Sequence, residues 1–188
     1  MSTERVTPDA LRRRYASLKR FEQENIAMDA EFGYKTRRDG LPEHISENIV
    51  KYILLNHCGR KSTWECKGDL YSEAEGALEC KSFTSDGPIS FGPNQKWNSI
   101  FFLDARKWLE DELVLYEVPH PNTDSVWTTM PVNKTQTKAD QADENRRPRA
   151  NWKLISAHLG DKSKFVYKGP FEGIFTAPAS APAGPQLV

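Results

Sequence analysis

The hydrophobic period changes at Gly59, and that change decides most of what this chain can fold into. Between Pro42 and His57, the residues Ile45, Ile49, Val50, Ile53 and Leu54 recur at helical spacing. This is the pattern of one buried helix face. Pro42 suits the first turn of that helix and Gly59 its C-cap. Past Gly59 the period shortens. "STWECKGDL" and "GALECKSF" have the length and side-chain types of strands, joined by the polar turn "YSEAEG". "SIFFLDA" and "ELVLYEVP" read as two more, separated by "RKWLED". Helical stretches bracketing a run of strands predict an α/β chain.

The flanks are less sharply written. Thr7, then Pro8, Asp9 and Ala10, make a good helix start. Leu11, Tyr15 and Leu18 follow at helical spacing amid Arg12, Arg13, Arg14, Lys19 and Arg20. The pattern predicts an amphipathic basic helix of about four turns. Its basic face is either simply solvated or a contact to DNA backbone or a second subunit. The stretch from 82 to 97 holds two Gly-Pro steps and reads as a structured loop or the start of a short helix. From Asn122 to Arg149 the chain is polar and shows no clear period. Asn151 can cap a helix "WKLISAHLG" ending at Gly160, and "SKFVYKG" reads as a last strand. The closing "TAPASAPAGPQLV" has no apolar face and is expected to be a disordered tail.

Composition narrows the class. A chain of 188 residues is long enough for one real core. Its 26 basic and 26 acidic residues balance, which excludes a nonspecific polycation. A DNA enzyme remains open, because phosphate attraction needs only a local basic patch or a bound cation. No apolar run approaches the roughly 18 residues of a membrane span, so no membrane partner is expected. The N-terminus lacks the apolar region of a secretory signal. Three cysteines, Cys58, Cys66 and Cys80, form no disulfide-like framework and suit reduced thiols in the cytoplasm. With no C-x2-C pair, and with His44, His57, His120 and His158 scattered, a zinc site is poorly supported. No phosphate-binding P-loop is present.

The tripeptide Glu-Cys-Lys occurs at 65–67 and again at 79–81. In a strand the Glu and Lys of either copy share a face while Cys points the other way. A hydrated Mg²⁺ is rarely held by one carboxylate, so a second acid must converge on it. Only the second copy has one within reach. Asp69 precedes Glu79 with nine residues between. A turn centred near Ala74 would set the two acids opposite each other, on the face that also carries Lys81. A surface hairpin with ordinary ion pairs is the plainer alternative.

Asp69, Glu79 and Lys81, in the arrangement D-x9-E-x-K, resemble the PD-(D/E)xK nuclease superfamily, and the length and loop-rich second half resemble a type II restriction endonuclease. The resemblance covers roughly residues 42 to 118, with Gly68 standing where that motif has Pro. It implies a restriction-endonuclease-like core, a mixed β-sheet flanked by helices, and endodeoxyribonuclease activity with Mg²⁺, or Mn²⁺ as its substitute. Asp69, Glu79 and the Cys80 carbonyl would be the metal ligands. Lys81 would position or activate the attacking water. Glu47 would be the acid from the preceding helix, with Glu43 as its competitor. Double-stranded DNA is the implied partner, a homodimer the implied assembly, and a cognate DNA methyltransferase a possible companion at the same site. One nuclease domain over 1–175 is expected, with a helical arm (1–40), a catalytic core (41–118), a DNA-reading and sheet-completing part (119–175) and a tail (176–188). A repair or junction-resolving nuclease and a non-catalytic DNA-binding module are the other readings.

Two segments are candidates for DNA contact. Ser85, Asn94, Gln95 and Lys96 follow the strand that carries Glu79 and Lys81. Amides can pair bidentately with adenine. Lys134, Lys138, Arg146, Arg147 and Arg149 lie in the polar second half, where basic side chains could hold phosphates or read guanine. A rigid Gly-Pro loop and an exposed polar loop are the plainer alternatives.

Overall fold

Two long helices come first. The computed structural model describes residues 6–34, 40–64, 69–92 and 95–177. Helix α1 spans Pro8–Phe32, with the Thr7 hydroxyl accepting from the Ala10 N–H. It is far longer than the apolar pattern predicts. The buried positions Leu11 and Tyr15 lie in its first half, and beyond Arg20 the helix continues on good helix formers until Gly33. Gly33 takes φ 71°, and its N–H closes on the Asp29 carbonyl. Helix α2 spans Glu43–Cys58 behind Pro42 and stops at Gly59, where φ is 64°. Both ends agree with the sequence reading. Among the described residues no helix is long and apolar enough to cross a membrane.

The α/β expectation holds. Strands β1 (Leu70–Ser72), β2 (Gly76–Phe83), β4 (Ser99–Asp104), β5 (Leu113–Val118) and β7 (Lys164–Gly169) form one sheet in the order β1-β2-β4-β5-β7. The sheet is mixed: β2 and β4 are parallel and the other neighbours antiparallel. A short strand β3 (Pro88–Ser90) pairs instead with β6 (Arg149–Asn151) in a separate ribbon. The remaining helices are α3 (Ser125–Thr128), α4 (Lys138–Asp143) and α5 (Trp152–Leu159).

Alternation along the strands sends apolar side chains to both faces. Leu78, Phe101, Leu103 and Leu115 pack against Ile45, Ile49 and Ile53 of α2 and Leu11 and Tyr15 of α1. Phe83, Ile100, Phe102 and Val118 meet Trp127, Trp152 and Ile155 on the other side. Each fully buried Leu, Ile or Phe contributes about 1.5–3 kcal/mol. β4 is covered on both faces, and its run Ser99–Leu103 is buried throughout.

Four expectations need correction. The strand expected over "STWECKGDL" does not run as one piece. Residues 65–68 lie outside the described residues, and β1 begins only at Leu70. Thr63 instead bridges Tyr71, exchanging hydrogen bonds of 2.8 and 2.7 Å. Tyr71 and Ser72, expected in the turn, belong to β1, because Gly76 accepts φ 80° and lets three residues close the hairpin. The described residues of the 82–97 stretch open no helix: β2 continues to Phe83, and β3 follows. The polar 122–149 stretch is largely ordered structure. Asp124 caps α3, and a Thr137–Asp140 capping box starts α4. Lastly, Phe171–Phe175 forms an unexpected 3-10 turn packed on α2. Of the expected tail, residues 178–188 lie outside the described residues.

Candidate active site

The β1–β2 hairpin does what its spacing predicts. Leu70 pairs with Leu78, Tyr71 with Ala77 and Ser72 with Gly76. Carried one step further, this register sets Asp69 opposite Glu79, with the turn centred on Ala74. The Asp69 carboxylate is pinned from the side: its Oδ2 accepts the Cys80 N–H at 2.7 Å. Glu79 and Lys81 share a face of β2 and form an ion pair. Cys80 points the other way and packs against the core that holds α2.

The site is dry. Glu79 is only 3% exposed. Burial raises the proton affinity of its carboxylate, Lys81 opposes that rise and Asp69 adds to it. Burial also raises Asp69, against the Cys80 N–H and the Lys81 charge. Glu47 on α2 is buried, and its pKa is raised to about 7. Burial is the main cause there, followed by repulsion from Asp69, Glu43 and Glu79, with Lys81 acting in the opposite sense. Glu47 therefore feels all three hairpin charges. Its competitor Glu43 is exposed one turn earlier. The Cys80 thiol is pushed up by burial and by the surrounding carboxylates, with Lys81 opposing.

Gln95, a candidate for DNA contact, reaches Glu79 within its own chain. Its Nε2 donates to Glu79 Oε1 at 2.7 Å, and its Oε1 accepts the Gly92 N–H at 2.5 Å. Its own carbonyl accepts from Asn122 Nδ2 at 2.8 Å. Both ends of the amide are thus engaged in holding Glu79. Gly92 is required for this arrangement, since a Cβ there would stand 2.8 Å from Gln95 Cγ. Sequence reasoning could not pair Gln95 with Glu79, because only the fold of the intervening loop brings them together.

At the first turn of α4 Lys138 is half-buried, its ammonium lies 5.3 Å from the Trp97 ring centroid, and burial lowers its pKa. The other basic candidates are exposed: Lys96, Lys134, Arg147, Arg149 and Arg146, the last paired with Glu144 at 3.1 Å. Ser85 is exposed and its hydroxyl accepts the Gly87 N–H. Asn94 lies outside the described residues. The β3–β6 ribbon joins the two candidate segments. Ser90 pairs with Arg149, and the Phe91 N–H donates to the Pro148 carbonyl at 2.9 Å. Residues 85–92 and 146–151, distant in sequence, are therefore tied together.

The donor set suits a hard cation. Asp69 Oδ1 and Glu79 Oε2 accept no hydrogen bond among the described residues, which leaves one free oxygen on each acid. Among the described residues no three His, Cys, Asp or Glu side chains form a ready metal cage. Mg²⁺ needs none, because it keeps several waters and is commonly held through one or two carboxylates.

Comparison with known proteins finds no match among curated proteins or solved structures. The family model for the Bsp6I restriction endonuclease, by contrast, matches residues 16–156. The match takes in Glu47, Asp69, Glu79, Lys81 and the ribbon, and covers about three quarters of the chain. The chain belongs to the Bsp6I restriction endonuclease family.

Proposed function

We propose that this restriction endonuclease hydrolyses phosphodiester bonds of double-stranded DNA at a short specific site, with Asp69, Glu79 and Lys81 as its reacting centre. The observation that carries this reading is the hairpin register, which sets half-buried Asp69 opposite buried Glu79, beside Lys81. Asp69 and Glu79 would hold Mg²⁺, or Mn²⁺ in its stead, through their free oxygens, with the Cys80 carbonyl as a third ligand. When bound, the cation lowers the pKa of a water and offsets phosphate charge.

The chain supplies the rest. Asp69 is held by the Cys80 N–H and Glu79 by Gln95, so neither acid must reorganise when DNA arrives. Lys81 orients the attacking water and offsets the negative charge on the phosphoryl oxygens as the new P–O bond forms and the old one breaks. Glu47 is the third acid, and its high proton affinity suits it to take or return a proton. Gln95 is a positioning residue, because it acts through Glu79. Ser85, Lys96, Lys134, Arg146, Arg147 and Arg149 would contact DNA around the joined ribbon. Residues 1–175 would act as one nuclease domain in the cytoplasm. Two copies about a two-fold axis would cut the two strands of a symmetric site, and a methyltransferase of the same specificity would protect host DNA.

The test is plasmid digestion. With Mg²⁺ the purified protein should cut DNA into discrete, reproducible fragments, and excess EDTA should stop it. Metal-independent cutting, or a smear without discrete bands, would overturn the reading.

A further inference from the structure

The second half of α1 has an apolar strip that the described residues leave largely open, although Phe32 stacks on Tyr34 with ring centroids 6.0 Å apart. Phe21, Met28 and Phe32 are 59%, 52% and 59% exposed. At 3.6 residues per turn they fall in one line along the helix. This line lies beside the stripe of Leu11, Tyr15, Glu22 and Asp29 that is buried. Large side chains rarely line up in solvent without a partner.

Charge on the same helix shows what the partner is. The N-terminal half carries Arg12, Arg13, Arg14, Lys19 and Arg20 against Asp9 alone. From Phe21 to Phe32 the charged residues are Glu22, Glu24, Asp29 and Glu31, with no basic residue. This order opposes the helix dipole, which favours acids at the N-terminus and bases at the C-terminus. A second α1 running antiparallel reverses both liabilities at once. It sets its acids beside these bases and its dipole against this dipole. The exposed residues Arg13, Arg20, Glu24 and Glu31 lie along one flank of the strip. Arg13 facing Glu31 of the partner subunit and Arg20 facing Glu24 of the partner subunit are satisfied by a single two-fold axis at the level of residue 22. Phe21 lies next to that axis and meets Phe21 of the partner subunit.

We propose that the second half of α1 is the surface through which two copies of this chain associate, antiparallel and helix to helix. The proposal rests on the reading above, which asks for two copies, and it names the surface that joins them. It is tested on the full chain by sedimentation velocity without DNA or metal, so its outcome is separate from any cleavage result. The wild type should sediment as a dimer. Phe21→Ser/Met28→Ser/Phe32→Ser should raise the dissociation constant at least about tenfold, with an unchanged circular dichroism spectrum. Arg13→Glu/Arg20→Glu and Glu24→Arg/Glu31→Arg should each be monomeric, and an equimolar mixture of the two should restore the dimer. A monomeric wild type, a dimer untouched by the apolar variant, or charge variants that do not pair when mixed would each overturn the proposal. Loss of cleavage in Asp69 variants that still dimerise would bear on the nuclease centre alone.

Discussion

The Glu79 carboxylate is held by two partners that reach it by different routes. Lys81 comes from the same strand, so its position is legible from a two-residue spacing. Gln95 comes from a loop, and its position depends on the Gly92 N–H and on Asn122. Nothing in the linear order of residues announces that. Gln95→Leu should leave Lys81 as the only partner of a buried acid. It should lower stability by about 1–2 kcal/mol and cleavage by roughly 10- to 100-fold. Chemical denaturation and initial cleavage rates at fixed Mg²⁺ would measure the two effects. Unchanged cleavage in a folded Gln95→Leu protein would remove Gln95 from the positioning role.

At the scale of elements, the hairpin depends on its turn. Gly76 sits at φ 80°, and a Cβ there would lie 2.9 Å from Asn98 Oδ1. Gly76→Ala should cost about 1–2 kcal/mol and also lower cleavage, because any adjustment shifts Asp69 relative to Glu79. Gly59→Ala is the control. It shares a left-handed φ of 64°, but its Cβ would meet nothing within 4 Å and the hairpin is untouched. It should lose comparable stability while cleavage per folded molecule is retained. The same hairpin shows what could be read in advance. Nine intervening residues centre on Ala74, and an antiparallel ladder turns that count directly into a register. The length of α1 could not be read that way, because its buried apolar stripe of Leu11 and Tyr15 stops short and the buried positions past Arg20 are the acids Glu22 and Asp29. The short helix α4 could not be read either, because the polar stretch around its Thr137–Asp140 capping box carries no apolar period.

Across the whole molecule, one face of the sheet leans on α1 and α2 and the other on an aromatic layer that includes Trp127 and Trp152. The α/β class followed from the change of period at Gly59. The β3–β6 ribbon did not, because three-residue strands carry no periodic signal and their pairing spans some sixty residues of chain. That ribbon ties exposed Arg149 to the segment following the strand of Glu79 and Lys81. The central claim is that the second Glu-Cys-Lys, and not the first, is the reacting centre. Plasmid cleavage with Mg²⁺ by single variants tests it most directly. Asp69→Ala, Glu79→Ala and Lys81→Ala should each abolish the discrete fragments, while Glu65→Ala and Lys67→Ala should largely keep them. Equal loss from the 65 and 67 variants, or full activity without Asp69 or Glu79, would contradict the account.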